Sequence, residues 1–146
     1  MNDVTRVFLN PKEDLEISQG FPWVYDNEIN SVKFYDKNSK SVKTSSLKDC
    51  LVKDGDVVEV YAAAGGFLGT GVINRTSKIT VRMIGSEHAD RILENPAAYW
   101  KNAVLNALNI RRVNFSETDS YRLIFGEADF IPGFIVERFY SDRSEE

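Results

Sequence analysis

Apolar and polar positions alternate in short runs along the first half of the chain, and that alternation predicts strands. Residues 4–9 read as a strand with Arg6 outward, residues 29–35 as a second, and residues 57–61 as a third after the turn-forming Lys53-Asp-Gly-Asp56. Residues 72–75 and 78–84 follow. In the latter, Ile79, Val81 and Met83 face one way, and Lys78, Thr80 and Arg82 are expected on a solvated face. Between the first two strands, Asn10 suits a helix N-cap, Pro11 the first helical position, and Glu13 completes a capping box. A short helix is therefore expected to about Gln19, with Gly20 as its stop. Pro22 forces an extended path at Phe21, which makes Trp23 a fixed wedge, either plugging the core or with an edge beside a ligand surface. Residues 36–53 read as a Ser- and Lys-rich loop.

The period changes after Ser86. Asn95-Pro96 is a second cap-plus-proline start, and a helix is expected to about Arg112 with Trp100, Ala103, Val104, Ala107 and Leu108 as one apolar stripe. Residues 116–119 match a capping box by letter, but no helical pattern follows. Residues 119–139 look like two short strands around Pro132-Gly133, a type II turn by composition. Glu127 and Asp129 lie two residues apart, on one face if the chain is extended there.

Composition narrows the classes. Hydrophobic residues make up 42% of the 146 and aromatics 12%, enough for a packed core. No apolar run approaches the roughly 20 residues of a membrane helix, and the first residues have neither the basic start nor the apolar core of a signal peptide. A soluble, cytoplasmic protein is expected. One cysteine, Cys50, and one histidine, His88, exclude an internal disulfide and a Cys/His zinc site. The net charge of −4 argues against a nucleic-acid partner until its distribution is seen. Residues 1–85 are neutral, the last 61 carry the −4, and residues 31–53 hold six lysines against two aspartates. That local patch can meet phosphate or simply keep a loop solvated. The glycines at 65–71 invite a phosphate-loop reading, but Asn74 replaces the last glycine of G-x-G-x-x-G, no Lys-Ser or Lys-Thr follows, and a strand comes next. A hairpin turn and a tight bend fit better.

Three segments resemble one family. Residues 20–25 (Gly-Phe-Pro-Trp-Val-Tyr) are similar to its G-H-P-W-V-F, and residues 67–71 with 79–83 to its "G-x-G, then I-x-V-R" strand pair. Residues 121–139 are close to its Y-R-L-x-x-G-E-x-D-x-L-P-G-L-I-V-D-R-Y. The chain thus resembles the N-terminal part of the class I S-adenosylmethionine-dependent rRNA cytosine-5 methyltransferases that begin with a PUA domain. The signature positions are Gly20, Pro22, Arg122, Gly126, Glu127, Asp129, Pro132 and Gly133.

The resemblance implies a mixed α/β fold. A PUA-like β pseudobarrel with a short helix would occupy residues 1–85 and a linker with the amphipathic helix 86–118. A β-hairpin opening an incomplete middle α/β domain would occupy 119–146. Family members continue into a Rossmann-like domain with the S-adenosylmethionine loop, an Asp-Pro-Pro motif and the nucleophilic cysteine. None of these is in this sequence, and Cys50 matches no catalytic motif. The chain alone is expected to be inactive and to hold no cofactor, with S-adenosylmethionine implied for its parent. The partners implied are structured rRNA and the parent's methyltransferase domain, with a homodimer also open. The expected RNA contacts are Lys12, Lys33, Arg75, Lys78 and Arg82, supported by Trp23. Three other readings stand beside this one. The chain could be a free-standing PUA-type module, a metal enzyme built on Glu127 and Asp129, or an interaction module that docks a partner on the edge of the 121–139 hairpin.

Overall fold

The computed structural model describes residues 3–114 and 120–139. Residues 116–119 therefore lie outside the described residues. The chain divides into two compact units, Met1–Glu94 and Asn95–Glu146.

The first unit is a curled seven-stranded sheet. Its strands are β1 (Thr5–Leu9), β2 (Trp23–Tyr25), β3 (Ile29–Asp36), β4 (Ser41–Ser45), β5 (Val57–Tyr61), β6 (Phe67–Ile73) and β7 (Ile79–Gly85), in the order β2-β7-β6-β5-β1-β3-β4. Neighbours are antiparallel except β1 and β5, which run parallel in the register Thr5↔Val58 to Phe8↔Tyr61. A parallel pair needs a long crossover, and residues 10–56 supply it while placing β3 and β4 beyond β1. Period-2 alternation sends Val7, Leu9, Val32, Phe34, Val58, Val60, Val81 and Met83 into one core. Register shifts at Phe8/Leu9, Val24/Tyr25, Val60/Tyr61 and Thr70/Gly71 bend the strands toward closure. Two short helices, α1 (Asp14–Ser18) and α2 (Ala89–Glu94), complete the unit. The architecture is the expected mixed α/β half-barrel with few helices, followed by a helix and a hairpin.

The glycine-rich stretch is structural. A Cβ on Gly71 would lie 2.5 Å from Val81 Cγ1 and 2.8 Å from the Arg82 carbonyl, and one on Gly69 2.6 Å from the Gly85 carbonyl. β6 and β7 can come this close only without those side chains.

Three local expectations fail for identifiable reasons. Asn10 does not cap α1. Its Nδ2 donates to the Asn27 carbonyl at 2.9 Å and its amide to the Glu28 carbonyl at 2.8 Å, so the turn at 26–28 has captured it. The helix starts at Asp14 without a side-chain cap, after Lys12 at a φ of 74°. The 36–53 loop contains β4, an exposed edge strand whose Ser-Val-Lys-Thr-Ser lacks the apolar alternation that would reveal it. Its hairpin is tied by Asp36, which accepts hydrogen bonds from Lys43, the Asn38 amide and the Ser39 hydroxyl. These hold the carboxyl down at about 2, the Lys43 bond most strongly. Finally, Thr80 is not on a solvated face. It is fully buried, its hydroxyl donating to the Ser77 carbonyl at 3.1 Å, and Ile84 is buried as well, so that face of β7 is covered at both positions while Arg82 between them is half-buried.

In the second unit, α3 (Pro96–Asn114) starts at Asn95, whose side chain accepts the Ala98 amide at 3.1 Å as the sequence predicts. Strands β8 (Tyr121–Phe125) and β9 (Ile135–Arg138) pair antiparallel. Ala107, Ile124 and Ile131 form the buried cluster, with Trp100, Ala103 and Leu123 packed on it. The stripe is narrower than expected, since Val104 is exposed. Pro132-Gly133 makes the expected type II turn, with the Phe134 amide on the Ile131 carbonyl at 3.3 Å and Gly133 at a φ of 83°.

Gly71→Ala should cost about 1–3 kcal/mol in urea unfolding. Gly66→Ala, with nothing within 4 Å of its added carbon, should stay within about 0.5 kcal/mol. Equal costs would show that the β6–β7 approach is not the constraint.

Candidate nucleic-acid interface

Because β1, β5 and β6 present every second residue outward, the outer face of the half-barrel gathers aromatic rings at neighbouring strand positions. Phe8 lies opposite Tyr61 in the parallel pair, and Tyr61 opposite Phe67 across the Val60/Tyr61 bulge. Phe8 and Tyr61 stack at a centroid distance of 5.3 Å, and Tyr61 meets Phe67 edge-on at 5.5 Å. The His88 ring lies on Phe67 at 3.8 Å with 14° between planes. Two cations sit over the row, Arg6 at 5.8 Å from the Tyr61 centroid and Lys33 at 5.8 Å from that of Phe8.

One buried carboxylate holds the end of the row. Glu59, beside Tyr61 on β5, accepts the Tyr61 hydroxyl at 2.6 Å, the Ala89 amide at 3.0 Å and contacts His88 Nδ1 at 3.1 Å. Burial pushes its carboxyl up, but the Tyr61, Ala89 and His88 contacts together bring it below its ordinary value. Tyr61 is pushed up to about 12, first by burial and then by the carboxylate it donates to, with Arg6 acting in the other direction. At neutral pH the hydroxyl is therefore a fixed donor. The Thr70 hydroxyl donates to the Glu87 carbonyl at 2.6 Å, so the segment leading into α2 is tied to β6 as well as β5.

The six residues expected to touch RNA do not form one patch. Trp23 and Arg82 are direct partners in the β2–β7 pair, and exposed Lys78 precedes β7 at the same edge of the sheet. The Trp23 indole Nε1 is buried with no hydrogen-bond partner among the described residues, and its ring meets Phe21 edge-on at 5.9 Å. Arg82 also donates to the Ile79 carbonyl at 3.1 Å. Lys12 is exposed on the turn before α1. Lys33 lies on β3 at the other side of the sheet, with the aromatic row. Arg75 serves the fold: its guanidinium donates to the carbonyls of Cys50 at 2.6 Å, Lys48 at 3.0 Å and Val52 at 3.1 Å, in a cleft that also carries Asp26 and Asp54. Cys50 is buried, its thiol on the Leu47 carbonyl.

The sequence alone does not single out the cluster of Arg6, Phe8, Glu59, Tyr61, Phe67 and His88. Part of the signal was present, because Arg6 outward requires Phe8 outward too. The rest depends on which strands become neighbours.

Glu127 and Asp129 do not share an extended face, since both lie in the 3-10 turn Gly126–Asp129. Asp129 pairs with Arg111 of α3, not with Arg122 or Arg138. Its two oxygens accept Nη1 at 2.6 Å and Nη2 at 2.7 Å, and one also accepts the Phe125 amide at 2.7 Å. Arg122 pairs with Glu137 across the hairpin, and Arg138 lies over the Tyr121 ring. Among the described residues no group of three or more His, Cys, Asp or Glu is placed to hold a metal ion. The glycine-rich stretch does not make a phosphate loop. The glycines of 65–71 turn a hairpin and pack against β7, so they leave no cradle before a helix.

Residues 7–85 match the family described as PUA-like domain. The chain belongs to that family. Among curated proteins, it is 26% identical over 141 residues to a ribosomal RNA large subunit methyltransferase of Deinococcus radiodurans, covering 92% of this chain and 30% of that protein. It is 26% identical over 136 residues to ribosomal RNA large subunit methyltransferase I of Alteromonas mediterranea, with the same coverage. The fold is also that of a putative SAM-dependent methyltransferase from Streptococcus mutans, with a TM-score of 0.59 at 16% identity over 92% of this chain and 30% of the other. A putative methyltransferase solved with SAH gives 0.58 at 15%, with the same coverage. This PUA-like chain therefore spans less than a third of the length of these relatives. No helix among the described residues is long and apolar enough to cross a membrane.

Two outcomes test the geometry. A carboxyl held below its ordinary value stabilises the fold above the unfolded value of 4.5, and the benefit is lost as pH falls. Glu59→Gln should thus cost about 1–3 kcal/mol near neutrality, and its difference from wild type should close progressively below about pH 4.5. Thermal melts across pH read this, and a pH-independent difference would contradict it. Arg111→Ala strands the Asp129 carboxylate, whose side chain is 4% exposed, and should cost about 3–5 kcal/mol. Amide exchange across α3 and β8 should accelerate accordingly, and unchanged exchange would count against the pair.

Proposed function

We propose that this chain is the RNA-binding and positioning portion of an S-adenosylmethionine-dependent rRNA methyltransferase that modifies cytosine at C5 in the cytoplasm. The observation that supports the RNA-binding and rRNA-methyltransferase part of this reading is the match of residues 7–85 to the PUA-like family within a chain whose curated relatives are named ribosomal RNA large subunit methyltransferases. The cytosine C5 part rests on the resemblance of residues 20–25, 67–83 and 121–139 alone. In this reading residues 1–85 hold structured rRNA, residues 86–118 link, and residues 119–146 open the next domain. The cofactor and the nucleophile belong to the parent's catalytic domain. The chain contributes affinity and orientation, which raise the effective concentration of the target at a remote active site.

Contacts to phosphate and 2′-hydroxyl groups, read by shape, carry the affinity. Lys78 and Arg82, with Trp23 behind them, supply one cationic edge, and Lys12 and Lys33 add charge elsewhere on the unit. Arg75 is left out of the contact set because its guanidinium is bonded to three backbone carbonyls.

Fluorescence titration of the 146-residue chain with a structured rRNA fragment should give a Kd on the order of micromolar at low salt, weakening steeply as salt rises. Lys78→Glu with Arg82→Glu should weaken binding by about tenfold or more and flatten the salt dependence by about two ions. Circular dichroism would confirm that the variant is folded. No binding at low salt, or binding indifferent to the double substitution in a folded protein, would refute this surface.

A further inference from the structure

We propose that the aromatic row on the outer face, Phe8–Tyr61–Phe67–His88, is a stacking platform for unpaired nucleotides, with His88 as the ring that receives a base. The inference rests on the chain being an RNA binder and adds a second mode of contact to it. Lys78 and Arg82 meet backbone at the β2–β7 edge, whereas this row meets the flat face of an exposed base.

The observations come from the ring geometry. His88 lies nearly parallel to Phe67 at 3.8 Å, so one of its faces is covered, yet its side chain remains 55% exposed. The opposite face is therefore open. The ring is also held in place, because Glu59 contacts Nδ1 and is itself fixed by Tyr61 and the Ala89 amide. A ring already immobilised loses little entropy when a base stacks on it. The row behind it extends the platform over three adjacent strands, and stacking on such rings tolerates any base because every base has a π-face.

Charge selects the occupant. At the outward positions of β3, β1, β5 and β6 the cations are Lys33 and Arg6, and the one acid, Glu59, is buried. Both cations lie over rings of the row, where a phosphodiester continuing from a stacked base would pass. The strand part of the row thus carries planar rings and cations with no exposed acid, and the exposed acids Glu87 and Asp90 stand only beside His88 in the chain. The strand face complements a single-stranded polyanion better than an apolar protein surface.

The test uses the 146-residue chain and an RNA hairpin carrying 2-aminopurine in an unpaired purine loop. The comparison RNAs are the same hairpin with abasic loop positions and a loopless duplex. Binding should quench the 2-aminopurine fluorescence, and removing the loop bases should weaken binding by about 5- to 100-fold. His88→Ala should weaken binding of the intact loop by a similar factor and leave the abasic hairpin unaffected. His88→Phe, which keeps a ring but loses the Glu59 contact, should restore most of the affinity. Phe67→Ala, which removes the ring beneath, should behave like His88→Ala.

The proposal is overturned if His88→Ala binds the intact loop as wild type does, or if it weakens loop and abasic RNA equally. It is also overturned if His88→Ala instead abolishes a dimer seen by sedimentation while RNA affinity stays unchanged, since the row would then cover a second copy. Wild-type binding to the duplex that depends on Lys78 and Arg82 but ignores the loop bases removes this inference alone. Failure of the wild-type chain to bind any of the three RNAs removes the RNA-binding reading with it.

Discussion

Glu59 sits on the solvent side of β5, where an acid would ordinarily be hydrated, and three groups have closed over it. The Tyr61 hydroxyl, the Ala89 amide and the His88 ring contact its oxygens, and α2 begins on top of them. Losing water costs a carboxylate several kcal/mol unless its lone pairs are met by donors. Here they are met, so the charge is retained and becomes a fixed point for the surface around it. Glu59 fixes His88 on Phe67 and the Tyr61 hydroxyl, and together with the Thr70 hydroxyl on the Glu87 carbonyl it docks the chain leaving β7. A neutral apolar residue at 59 could bury as well, but it would hold neither the imidazole nor the phenol in place.

The sheet beneath supplies the positions. Pairing β1 in parallel with β5 brings Phe8 and Arg6 beside Tyr61 and Glu59, residues more than fifty apart in the chain. The bulge at Val60/Tyr61 then moves Phe67 opposite Tyr61, which a regular ladder would not do. On the other side of β6, Gly69 and Gly71 let β7 approach within side-chain distance and close the curl. Rigid strands with short ties are well suited to presenting rings, because little remains to be ordered when a ligand arrives.

How much of this was legible in the sequence depended on how local the cause was. Strands at 57–61 and 78–84, the Asn95 cap, and the Pro132-Gly133 turn follow from residues within a few positions of each other, and the sequence predicts them. Asn10 illustrates the opposite case. Its local context specifies a capping box, but Asn27 and Glu28 offered better-placed acceptors and the cap was lost. Strand β4 was hidden by its polar composition, and the burial of Thr80 by cover on a face that alternation assigned to solvent. The pairing of Asp129 with Arg111 joins a turn to a helix eighteen residues earlier, and no spacing rule anticipates it. The aromatic row was half legible. Parity placed Phe8 with Arg6, but only the strand order shows that Tyr61, Phe67 and His88 continue it.

RNA held on the outer face of this half-barrel is the proposal on which the rest turns. Ultraviolet cross-linking of an rRNA fragment to the chain, followed by peptide mass spectrometry, addresses it residue by residue without any substitution. Nucleotide adducts are expected on the aromatic row, at Phe8, Tyr61, Phe67 or His88, with further adducts near Trp23 on the β2–β7 edge. Adducts confined to the 121–139 hairpin, with both of these surfaces unmodified, would contradict it.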